Sequence, residues 1–115
     1  MDEKAAAEAV LDQMYAMARA QFGDAIQTHW FYPGPCPGCG RPIDAMVIDG
    51  EQALSVNAYI YRKRGALIGY FLCGRCAARI HESAKRRPGR PTPLHATIEA
   101  NLRAAYDRYR AATDV

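Results

Sequence analysis

The chain has 115 residues, half of them hydrophobic and 23% charged, with a formal net charge of +3. That length and balance describe one folded domain with its own core and exclude a disordered tail. The longest apolar run, ALIGYFLC at 66–73, falls far short of the roughly 20 residues that a membrane span needs.

The opening MDEKAAAEAV has neither the basic nor the apolar region of a secretory signal. A soluble, cytoplasmic protein with reduced thiols is therefore expected. The charge is uneven along the chain. Residues 1–32 carry five acids against two bases, and residues 61–91 carry nine bases against one acid. A local basic block, not the overall charge, is the lead toward nucleic acid.

Residues 3–22 read as a helix, with Val10, Leu11, Met14, Ala18 and Phe22 on one face and Gly23 as a stop. IQTHWFY (26–32) is β-branched and aromatic and predicts a strand ended by PGP. AMVI predicts a short strand closed by the turn signal Asp49–Gly50. ALSVNAYIY alternates, with Leu54, Val56, Ala58 and Ile60 on one face and Ser55, Asn57, Tyr59 and Tyr61 on the other. RKRG predicts a hairpin loop with Gly65 at a positive φ, and ALIGYFL returns as a strand. AARIHESAKRR (77–87) predicts a helix ended by Pro88, and PGRPTP (88–93) a stiff, exposed connector. The last helix starts with Thr92 as N-cap and Pro93 at its first position. Its buried stripe is expected to be Ile98, Leu102, Ala105, Tyr109 and Ala112, and its Glu99–Arg103–Asp107–Arg110 ladder a solvated face.

The only four cysteines are Cys36, Cys39, Cys73 and Cys76, two C-x-x-C pairs with 33 residues between them. Zinc(II) takes four tetrahedral ligands, and two such pairs supply a closed thiolate set. Gly40 and Gly74 allow tight turns that aim amide N–H groups at sulfur, and Arg41, Arg75 and Arg79 offset the negative charge of the thiolates. One structural zinc ion is expected, favoured over iron in the same thiolate cage. A redox dithiol, the enzymatic alternative, leaves the second pair unexplained, and a disulfide framework conflicts with the compartment.

CPGCG, a hairpin, and CGRC leading into AARIHESAKRR together resemble the treble-clef group of zinc fingers over about residues 30–87, with a zinc ribbon as the alternative. The resemblance implies a first ligand pair from a knuckle and a second from the first turn of a helix. It implies little about role, because that fold group hosts nucleic-acid binders, adaptors and nucleases. Two enzymatic readings lack residues. PCPGC matches half of the zinc deaminase signature, but the upstream H-x-E is missing. A nuclease of the HNH type needs histidines between the cysteine pairs, and 40–72 contain none. Four cysteines also leave no coordination position for water.

The functional candidates are Arg62, Lys63 and Arg64 at the hairpin tip, Arg75 and Arg79 on the second knuckle and helix, and Lys85, Arg86, Arg87 and Arg90 at the connector. Gathered on one side, they would contact DNA or RNA phosphates. KRRPGRP is similar to the AT-hook, an extended minor-groove arm, with proline where the first core arginine would stand. Tyr59 and Tyr61 either stack bases or lie under a helix, and cover is the commoner arrangement. His29, His81 and His95 show no acid/base partner, and Trp30, Phe31 and Tyr32 read as packing.

The expectation is an α+β protein with a small antiparallel sheet of three or four strands, as a single zinc-binding domain over 1–115. Its parts are a helix at 3–22, sheet, knuckles and helix at 26–87, and a helix at 93–112. It is read as non-enzymatic, binding DNA or RNA through residues 62–90. The alternative is an adaptor that docks a protein partner or homodimerises through its terminal helices. Neither a membrane nor a small-molecule substrate is expected.

Overall fold

The computed structural model describes residues 3–113. The elements in chain order are α1 (Glu3–Phe22), β1 (Thr28–Phe31), β2 (Met46–Ile48), β3 (Glu51–Ala53), β4 (Ser55–Tyr61), β5 (Ala66–Leu72), α2 (Gly74–Arg86) and α3 (Pro93–Thr113). The α+β class is borne out. The chain divides into two compact units. One holds the chain up to Tyr32 with Val56–Tyr70, and the other holds Pro33–Ser55 with the chain from Phe71 onward.

In the first unit the strand order is β1-β5-β4. β1 runs parallel to β5, pairing Thr28 with Ala66 through Phe31 with Gly69. The sheet is therefore mixed, where a wholly antiparallel one was expected. The long stretch between β1 and β4 allows a parallel pairing that no hairpin could make, whereas the four residues joining β4 to β5 are too few for a crossover. Those four residues behave as read, with Gly65 left-handed at φ 63°. Leu11, Ala18, Ile26 and Leu67 form the core, with Met14, Tyr15, Phe31 and Ile60 packed against it.

The inward face of α1 differs from the reading in detail. Ala7, Leu11 and Ala18 are buried, while Val10 and Phe22 lie toward solvent. β4 also lacks a clean division of faces, since Tyr61 is buried, Ala58 is exposed and the other positions lie between. Tyr61 stacks on Tyr59 with ring centroids 6.5 Å apart. Tyr61 is thus withdrawn from a base-stacking role, while Tyr59 stays half-buried. Arg19 donates to the Ile26 carbonyl at 2.8 Å, tying the end of α1 to the residue that leads into β1.

In the second unit β2 and β3 form a two-stranded antiparallel hairpin. Asp49 and Gly50 both have positive φ, 51° and 81°, which is the type I′ geometry that suits hairpin twist. α3 buries Ile98, Leu102, Ala105 and Tyr106. Tyr109 was expected on that stripe, but it is 41% exposed, and Ala112 is exposed as well. Glu99, Arg103 and Arg110 are half-buried, so the charge ladder is not a fully solvated face. No helix among the described residues is long and apolar enough to cross a membrane.

Candidate metal centre

Two short backbone devices bring the four sulfurs together. In the first, Cys36 accepts a hydrogen bond from the Gly40 amide through its carbonyl and from the Gly38 amide through Sγ at 3.4 Å. The Cys36 amide donates to the Arg41 carbonyl at 2.9 Å, closing the knuckle. In the second, Cys73 is the N-cap of α2 and its Sγ accepts from the Cys76 amide at 3.4 Å. The positive end of the α2 dipole therefore faces the Cys73 sulfur, which lowers the cost of placing a thiolate there.

Two glycines are required by close approach. A Cβ on Gly74 would collide with the Ala45 carbonyl. The Gly74 amide instead donates to the Asp44 carboxylate at 2.6 Å, satisfying one of the orphan N–H groups at the helix start. A Cβ on Gly38 would meet Cys76 Sγ at 3.0 Å, Leu94 Cδ1 at 3.1 Å and Ile98 Cγ1 at 3.4 Å. The first knuckle thus presses on both the second cysteine pair and α3. Asn101 on α3 adds a direct tether, its Nδ2 donating to the Pro37 carbonyl at 2.7 Å.

One ligand atom from each of the four cysteines lies within 4.8 Å of all the others, a group that can hold a metal ion. Tetrahedral thiolate bonds of about 2.3 Å place the sulfurs about 3.8 Å apart, and Cys39 Sγ lies 3.6 Å from Cys73 Sγ. The donor set therefore fits such an ion. All four cysteines are free, with Cys36, Cys73 and Cys76 buried and Cys39 exposed. Burial pushes Cys36 up, but N–H donors from Cys73, Gly38 and Cys39 outweigh it and hold the thiol down at about 7. Burial raises Cys73 and Cys76, with Cys39 among the neighbours that add to both.

The basic candidates divide between the two units. Arg62, Lys63 and Arg64 occupy the turn of the first, where the Arg62 guanidinium lies 5.9 Å from the Phe22 ring centroid. Arg75, Arg79, Lys85, Arg86, Arg87 and Arg90 belong to the second and are exposed, with Lys85 paired to Glu82 at 3.7 Å. The connector is not the extended arm that the AT-hook likeness implied. The Arg90 amide donates to the Arg87 carbonyl, and Gly89 has φ 76°. Pro88 and Gly89 thus occupy the central positions of a type II turn.

Two of the histidines, His29 and His95, have local roles. His29 Nε2 is 3.8 Å from Asp12 and its ring lies against Tyr15, a partner the sequence did not reveal. His95 completes a reciprocal cap at the start of α3. Its amide donates to Thr92 Oγ1 at 3.2 Å, and the Thr92 amide donates to its Nδ1 at 3.0 Å. That is a capping box with histidine in the place of glutamate.

Asp44, Asn101 and the His95 cap escaped sequence reading. Only the T-x-x-H spacing at the start of the helix gave a usable signal. Comparison of the chain with family models, curated proteins and solved structures finds no match.

Proposed function

We propose that this protein is a non-enzymatic module in which one structural zinc ion, held by Cys36, Cys39, Cys73 and Cys76, supports a basic surface that binds DNA or RNA backbones. The convergence of the four sulfurs carries the metal half of the reading. Thiolate-only tetrahedral donors with amide N–H groups aimed at sulfur suit structural zinc, and a closed set leaves no position for a reacting water. The order of knuckle, hairpin and helix in the second unit supports the treble-clef resemblance, with β4 and most of β5 as an excursion into the first unit.

The run at the end of α2 supports the nucleic-acid half. Arg86, Arg87 and Arg90 are exposed within a short turn, and Arg75, Arg79, Lys85 and the Arg62–Arg64 turn are further candidate contacts. Three observations on the purified protein test the reading. Elemental analysis should give one zinc per chain. A labelled 20-mer should bind with an affinity that falls steeply from 50 to 200 mM salt. R86A/R87A/R90A should reduce the slope of log K against log salt by about 0.9 per lost phosphate contact. Unchanged affinity and slope in that variant at low salt would remove the nucleic-acid reading and leave the metal reading standing.

The adaptor reading has one observation in its favour. Met17, 71% exposed, lies two turns from Val10 on the outward side of α1. The buried stripe residues of α1 and α3 weigh against it, because those faces already have cover.

A further inference from the structure

The second unit contains a cleft of about 330 Å³ formed by Ile80, Ser83 and Ala84 of α2, Arg90 and Pro91 of the connector, and His95 of α3. From its lining we infer that it takes one unpaired nucleobase of a single-stranded nucleic acid, with the adjoining phosphate on Arg90. The inference rests on the nucleic-acid reading above and gives it a substrate class.

Ile80, Ala84 and Pro91 supply the apolar surface that a flat ring system needs, and three polar groups lie among them. An apolar pocket with a few placed polar groups is the general form of a small-ligand site, and this one is at the small end of the range. Its volume is sufficient for one flat base. Arg90 is exposed, and among the described residues no carboxylate pairs with it. The 87–90 turn fixes its backbone at the rim of the cleft. His95 Nδ1 accepts from the Thr92 amide, so the neutral ring carries its proton on Nε2 and can donate it to a base carbonyl. Ser83 Oγ can both donate and accept.

The occupant is a strand and not a free anion because the positive charge does not end at the cleft. Lys85, Arg86 and Arg87 continue it along the exposed end of α2. Bases inside a duplex are stacked and paired and must be extruded at a cost before a pocket can take them, whereas a single strand presents them freely.

Fluorescence anisotropy with a 12-nucleotide strand, its duplex, and the same strand carrying abasic sites tests the inference on the unaltered protein. The single strand should bind about tenfold more tightly than either the duplex or the abasic strand, the order of effect expected for loss of one base contact. A84F, which fills the cleft from an exposed helical position, should weaken single-strand binding to the duplex level and leave duplex binding unchanged. Equal affinity for intact and abasic strands overturns the inference and spares the broader reading, and so does a mononucleotide that binds as tightly as the strand. Absence of binding to every nucleic acid at 50 mM salt overturns both.

Discussion

Replacing Gly38 by alanine inserts one methyl group between the first knuckle and α3. Gly38 has no left-handed φ to forbid the change, so its cost is steric. The new Cβ meets Cys76 Sγ at 3.0 Å, Leu94 Cδ1 at 3.1 Å and Ile98 Cγ1 at 3.4 Å. The sulfur cannot retreat while it ligates an ion, and Ile98 is fully buried. The half-buried end of Leu94 is the contact most able to yield. Overpacking of this kind costs about 1–3 kcal/mol. Loss of glycine's freedom in the unfolded chain returns about 0.4–1 kcal/mol.

The net cost of about 1–2 kcal/mol corresponds to a metal affinity lower by roughly 5- to 30-fold. Competition with a chromophoric chelator measures it, with thermal unfolding of the metal-loaded protein as a second readout. The double variant G38A/L94A should recover part of the loss, with a coupling energy of about 1 kcal/mol. Strictly additive losses, or affinity in G38A within twofold of the parent, would refute the proposed contact between knuckle, sulfur and helix.

Metal binding should show a pH dependence set by the thiols. Cys36 is held near 7 and is largely ionised above that pH, while burial keeps Cys73 and Cys76 protonated past the ordinary thiol range. The ion must displace at least those two protons, so log apparent affinity should rise by about 2 or more per pH unit between pH 7.5 and 8.5, and a slope below 1 contradicts this. Chelation should strip hydrogen-exchange protection from residues 36–40 and from α2. Amides of the Leu11–Ile26–Leu67 core, in a unit with its own packing, should keep theirs, and uniform loss would show that metal loss unfolds both. Asn101→Ala removes the bond to Pro37 but gains helix propensity. It should cost about 0.5–1 kcal/mol in chemical denaturation, and no change would mean that water replaces the amide.

Local chemistry accounts for what the sequence made legible. Asp49–Gly50, Gly65 and Thr92–Pro93 each specify a turn or a cap within a few residues, and the structure places all three where they were read. The C-x-x-C spacing likewise determines knuckle geometry without reference to the rest of the chain. Features that depend on distant partners were not legible. The parallel register of β1 on β5 joins segments more than thirty residues apart, and no local pattern encodes it. Tyr106 and Tyr109 both lie at helical spacing from Leu102, and periodicity alone could not choose the one that α3 buries. Asp44 and Asn101 look like ordinary polar surface residues until the α2 start and the Pro37 carbonyl are brought beside them.

The excursion between the ligand pairs has a kinetic consequence. Cys39 and Cys73 are 34 positions apart, and closing a loop of that size costs about 3–4 kcal/mol of chain entropy. Each C-x-x-C pair can capture an ion within a few residues, long before the intervening strands have found their places. Excess metal during refolding should therefore load both pairs separately, a two-ion trap that must shed one ion before the cage can close. Renaturation should be fastest near one equivalent of metal and slower above it.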